Sequence, residues 1–237
     1  MSLKPLYVVR MLRKLLYFLL FCQTVSNFAY AQKYYYVSTT EDRAHDITVT
    51  KEKAKGKNVL TLEENKLYSK HIFNPSIGTE QWSLRDEKSD HDFVARREGE
   101  LIRISGTFHG KPVEKEVDID EDVWFNKLDH GLSAFAISDQ QKISFWVLKL
   151  LSDMDAMKMI AEKEGVERVD VGGRSYEAVK VKLVLDHFIL SKLWSARCWY
   201  RLSDGLFLRY EGANGRPGTP VTTIELQKEI SSIENSP

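Results

Sequence analysis

Residues 176–185 read Tyr-Glu-Ala-Val-Lys-Val-Lys-Leu-Val-Leu, and they decide the fold class. Val179, Val181, Leu183 and Leu185 fall on one side of an extended chain, with Lys180 and Lys182 on the other. Successive strand side chains point to opposite faces, so this alternation predicts a strand with one face in a core and one in water.

The same period recurs along the chain. Val113, Val117 and Ile119 alternate with Glu114, Glu116 and Asp118; Ile102, Ile104 and Phe108 alternate with Arg103, Ser105 and Thr107. Trp82 and Leu84 do so with Gln81, Ser83 and Arg85, as do Ile224 and Leu226 near the C-terminus. Turn residues separate the runs. His109-Gly110-Lys111 joins strands at 101–108 and 113–119, Gly172-Gly173 joins 166–171 to 176–185, and Ser203-Asp204-Gly205 joins 195–202 to 206–211. A glycine pair tolerates the positive φ of a tight hairpin. Regular short spacing of this kind predicts an antiparallel meander rather than βαβ units.

One segment departs from the period. Trp124, Leu128, Leu132 and Phe135 follow each other at steps of four, four and three, which is one helical stripe. Asp120 and Asp122 at its start suit a helix N-terminus. The spacing predicts a helix over 121–137, interrupted at Gly131, and then an apolar strand at 143–150. Residues 153–163 fit either period; the reading here is a strand. The predicted fold is mainly β with some α: a long, curved antiparallel sheet or half-barrel meander wrapped around a single helix.

The chain opens with Lys4, Arg10, Arg13 and Lys14, then the apolar run Leu15–Phe21, then Ala29-Tyr30-Ala31. Basic, apolar and A-x-A segments in that order are the layout of a secretory signal peptide, with cleavage expected after Ala31. The apolar run is too short to span a bilayer. Phe21 before Cys22 is larger than the residue that precedes a lipidated cysteine. The expected organisation is a signal peptide at 1–31, a weakly packed segment at 32–46, a single β-rich domain at 47–228 and a flexible tail at 229–237. Removing 1–31 leaves 30 basic against 34 acidic residues and one cysteine, Cys198. A lone thiol makes no internal disulfide, and the alternation of Ala196, Cys198 and Tyr200 places it on a buried face. Without a basic excess, a nucleic-acid partner is not expected.

Motifs for chemistry are sparse. The six histidines, at 45, 71, 91, 109, 130 and 187, show no zinc spacing. There is no G-x-S-x-G elbow and no phosphate-binding G-x-x-x-x-G-K-[ST] loop. Asp118-Ile-Asp120-Glu-Asp122 lacks the glycine and closing glutamate of a calcium loop, and helix capping accounts for it more simply. No catalytic residue, metal or cofactor is expected. The informative excess is aromatic, with 5 Trp, 11 Phe and 10 Tyr. Those rings either line a concave apolar pocket or pack a helix onto a sheet.

The stretch Cys198-Trp-Tyr-Arg-Leu-Ser-Asp-Gly205-Leu-Phe-Leu-Arg-Tyr-Glu-Gly212, followed by Pro217-Gly-Thr-Pro220 and a strand, resembles an uncharacterised family of exported bacterial proteins. Phe145-Trp146 and Gly165-Val-Glu-Arg-Val-Asp-Val-Gly172 are similar to that family's middle portion. The likeness runs over about residues 120–228 and extends more thinly over 45–120. The family in turn looks similar in architecture to periplasmic lipoprotein carriers, whose open half-barrel wraps a helix and shelters acyl chains. Export, a curved sheet around one apolar helix and abundant tryptophan together predict a non-enzymatic periplasmic binding or carrier protein for a lipid or acylated ligand, with at most transient membrane association. They leave open an envelope protein partner paired through a sheet edge, or a hydrolase with residues gathered from distant strands. Trp124, Leu128, Phe135, Phe145, Trp199 and Phe207 are expected near the cavity of such a carrier.

Overall fold

The computed structural model describes residues 29–54, 56–74, 78–150, 154–187, 194–213, 215 and 218–234. The expected leader up to residue 28, including Cys22, lies outside them. The chain divides into Tyr30–Ser232 and a second unit of Met1–Ala29 with Ile233–Pro237. The first unit is the subject below.

Among the described residues, fifteen strands form one sheet. They are β1 (Ala29–Thr40), β2 (Arg43–Ala54), β3 (Lys57–Glu64), β4 (Leu67–Asn74), β5 (Gly78–Asp86), β6 (His91–Glu98), β7 (Leu101–Phe108) and β8 (Lys111–Asp118). Then come β9 (Val123–Trp124), β10 (Lys142–Leu148), β11 (Ala156–Val171), β12 (Arg174–Leu185), β13 (Ser195–Arg201), β14 (Phe207–Ala213) and β15 (Val221–Glu234). The strand over 101–108 falls where its alternation places it, and residues 156–163 are strand, as read. Most neighbours in sequence pair antiparallel, β15 returns beside β1, and β4 pairs β5, so twelve strands close a barrel. The other three, β6, β7 and β8, continue from β5 as a flange.

The closed barrel replaces the expected half-barrel. Its first strands are β1 and β2, drawn from residues expected to be weakly packed. Tyr34, Tyr36 and Ser38 alternate inward there, and Tyr34 and Tyr36 pair with Val49 and Ile47 across β1–β2. The polar residues between them face outward, so the segment's composition is that of a half-buried strand.

Closure depends on a very short strand. β9 runs parallel to both β5 and β10, and among the described residues its register with β5 is Gly78 opposite Trp124. Gly78 has φ +77°, and a Cβ there would lie 2.4 Å from the Trp124 carbonyl oxygen, so the backbones meet only because this residue is glycine.

The expected helix over 121–137 becomes β9 plus two short helices, α1 (Leu128–Gly131) and α2 (Ser133–Ala136). The cause lies in side chains that hold the first half extended. Lys158 bridges Asp120 Oδ2 at 2.5 Å and Asp122 Oδ2 at 2.8 Å. Trp146 Nε1 donates to Asp120 (2.6 Å), Ser144 to Asp122 (2.7 Å), and Arg97 to both backbone carbonyls. The lysine ammonium thus occupies the place between carboxylates that a bound cation would take. The helical spacing of apolar residues is then divided: Trp124 faces one core, while Leu132 and Phe135 enter another.

Two cores result. The first fills the barrel with Phe135, Phe145, Val181, Tyr200 and Phe207 among others. The second lies between the flange and the outer face of β10, and includes Phe93, Ile102, Ile104, Trp124 and Leu148. Full burial of such side chains contributes about 1.5–3 kcal/mol each. The two short helices close one end of the barrel, where Gly205 of the β13–β14 turn packs against the Ser133 carbonyl.

Candidate functional site

At the opposite end, described residues at and just beyond the ends of β3, β5, β7, β10, β12 and β14 line a cavity of about 1060 Å³. That is at the upper end of the roughly 300–1,000 Å³ usual for small-molecule sites. Its walls are mostly apolar: Leu62, Leu84, Val147, Met157, Met159 and Ile224 contribute.

The cavity spans both cores. Val147 belongs to the barrel core and Leu148 to the flange core, as strand alternation requires, yet both line it. β9 pairs with one edge of β10 through Val123 and Trp124. Above Trp124 that edge has no strand partner; instead Asn126 Oδ1 accepts from the Leu148 amide (2.7 Å) and from Trp124 Nε1 (3.0 Å).

Polar residues also line it, among them Asn126, Lys127, Lys149, Lys158, Asp186 and His187, and two further sets lie on the β4–β5 wall and at the rim. Within the β4–β5 wall, Trp82 Nε1 donates to Ser69 Oγ at 2.9 Å, and Ser69 Oγ shares a hydrogen bond with His71 Nε2 at 2.9 Å. All three are buried, and His71 stacks on Trp82 at 5.9 Å. Register places them just below the rim: Leu67 lies opposite both Glu64 and Asp86, Ser69 one step deeper, and His71 deeper still. At the rim, His45 pairs with Glu64 (2.7 Å). Burial raises the Asp86 pKa, but hydrogen bonds from Ser89 and the Lys88 amide outweigh it and hold it below the ordinary carboxylate value. His91 stacks on Phe108 at 4.4 Å and accepts from the His109 amide at Nδ1 (3.1 Å). Burial, then the neighbouring His109, hold its pKa below the usual histidine value despite Asp86 and Asp90.

Of the residues expected at the cavity, none of the five with described side chains lines it. Phe135, Phe145 and Phe207 pack the barrel core. Trp124 faces the flange core. Trp199 lies on the outer face, 5.4 Å from both Lys180 and Arg209, with Nε1 donating to Glu167. The side chain of Leu128 is outside the described residues. Sequence reading missed Ser69 and His71 because inward polar residues interrupt the apolar period of β4. Trp82 and Leu84 carried the signal: their alternation marks this wall.

No family model matches the chain, and no curated protein matches it. Among solved structures it is similar to a β-barrel-like protein of domain of unknown function DUF1849 from Brucella abortus. The two share 9% identity over 86% of this chain and 98% of that one, with a TM-score of 0.50. At that identity the likeness is one of fold, and it agrees with the resemblance to an uncharacterised β-rich family. Pseudomonas aeruginosa MucB in complex with MucA matches at 10% identity over 87% and 53% of the chains, TM-score 0.39. A putative outer membrane lipoprotein-sorting protein domain from Vibrio parahaemolyticus matches at 7% identity over 87% of each, TM-score 0.33. Both are too remote to bear on this chain.

Proposed function

We propose that this chain is an exported, non-enzymatic binding or carrier protein for a hydrophobic moiety, a lipid or acyl chain. The observation that carries the reading is the largely apolar cavity of about 1060 Å³ at one end of the barrel. An elongated apolar chain fits such a space, and its burial supplies about 0.8 kcal/mol per methylene. The leader-like segment at 1–31 supports export. The edge-pairing reading has β8 as its free edge among the described residues. Pro112, Glu114, Lys115 and Glu116 on that strand are residue types that guard an edge against pairing.

The test is native mass spectrometry of the purified protein, with titration of an acyl probe followed by tryptophan fluorescence. Trp82 and Trp194 line the cavity and report its occupancy. Co-purifying lipid or saturable quenching is the expected result; absence of both overturns the reading.

A further inference from the structure

We propose that the ligand of this cavity is an acyl amphiphile with an uncharged, hydrogen-bonding head, of the monoacylglycerol type, rather than a free fatty acid or another anion. The inference rests on the carrier reading and specifies its substrate class.

The first ground is the chemistry of the buried polar wall. Ser69, Trp82 and His71 are 5%, 4% and 1% exposed and form one hydrogen-bonded chain. The Trp82 N–H occupies one lone pair of the Ser69 hydroxyl. If His71 Nε2 accepts from Ser69, the hydroxyl retains one lone pair for a ligand donor. If Nε2 donates instead, the hydroxyl proton is available for a ligand acceptor. A glyceryl ester presents hydroxyls and a carbonyl, and so satisfies either arrangement. A carboxylate only accepts, and its burial beside neutral groups without a paired cation is costly.

The second ground is where the charges lie. Glu64 and Asp86 sit on the same inward face as Ser69, one step nearer the mouth, and both line the cavity there, Glu64 in contact with His45 and Asp86 accepting from the Lys88 amide. The lysines on the β10–β11 side are already engaged: Lys149 with Asp155 at 3.3 Å, and Lys158 with Asp120 and Asp122. Lys127 also has an interaction of its own. An anionic head thus meets like charge at the rim and committed cations opposite.

The experiment compares palmitate with its monoglyceride, both below their aggregation concentrations, on the delipidated full chain at pH 8. Histidine at its ordinary value is neutral there. The monoglyceride should bind about tenfold more tightly, as one buried hydrogen bond gained and one charge excluded imply. Ser69→Ala should reduce that preference to about threefold or less, with circular dichroism confirming the fold. Asp86→Asn should raise palmitate affinity relative to that of the monoglyceride, and it decides the matter should Ser69→Ala not fold. Equal or tighter binding of palmitate overturns the proposal and leaves the carrier reading standing. A preference that survives in Ser69→Ala, or a relative palmitate affinity unmoved in Asp86→Asn, overturns it as well. Failure of both ligands to bind overturns the carrier reading and this proposal together.

Discussion

Gly78 and Trp124 are the pair through which β5 meets β9, and the glycine Cα stands close enough to the Trp124 carbonyl that no side chain fits between them. Gly78→Ala would force a left-handed backbone on alanine and press its methyl against that oxygen. It should destabilise the fold by about 2 kcal/mol. Urea unfolding measures this; a midpoint equal to that of the unmodified protein would refute the role given to the seam.

Asn126 finishes the same seam with a side chain where a strand is missing. Asn126→Ala leaves the Leu148 amide and the Trp124 indole without their acceptor, at about 1–3 kcal/mol for each buried donor. Asn126→Asp keeps the acceptor and should retain most of the stability. Thermal unfolding of the two variants distinguishes loss of the acceptor from loss of packing.

Acid should weaken the fold in two separate windows. Hydrogen bonds from Lys158 and then Trp146 hold the Asp120 carboxyl down at about 2. Its stabilising contribution is therefore complete above the ordinary carboxylate value and fades as pH falls from about 4 toward 2. Such partly exposed pairs contribute about 1 kcal/mol at most. His91 acts higher up. The unfolded chain takes up its proton near pH 6.5 while the buried ring resists, so stability declines below that value. In a denaturation series over pH, Lys158→Met should flatten the lower window and His91→Phe the upper one.

Ligand binding should separate the inside of the barrel from its outside. Ile224→Trp places bulk in the cavity and should abolish acyl-probe binding. Trp199→Phe alters the outer face and should leave the probe's dissociation constant within about twofold of the parent. Fluorescence titration of both variants is the check, and loss of binding in Trp199→Phe would place the site elsewhere.

The β architecture was legible where inward positions are uniformly apolar, as at Val179, Val181 and Leu183, because period-2 alternation needs no tertiary information. It was hidden where the interior is polar: Ser38, Ser69 and His71 point inward and broke the pattern in β1 and β4. The helix over 121–137 misled for a different reason. Trp124 and Leu132 have helical spacing but serve two cores, and the contacts that keep Asp120–Asp122 extended, hydrogen bonds from Arg97 and ion pairs with Lys158, come from residues remote in sequence. The aromatic excess marked packing rather than the pocket, since aliphatic and methionine side chains, with Trp82 and Trp194, supply the lining.

Thr40 and Thr222 hydroxyls meet at 2.6 Å across 182 residues, where the first strand joins the last. Ladders between chain neighbours can zip locally, but this one waits for the whole polypeptide. Assembly of the ring must end with a long-range closure, which is slow because the entropy of a large loop is lost before the contact forms. Until its tail is available, the nascent molecule exposes two raw strand edges, so a chaperone that shields them early would matter more to its yield than any gain in core packing.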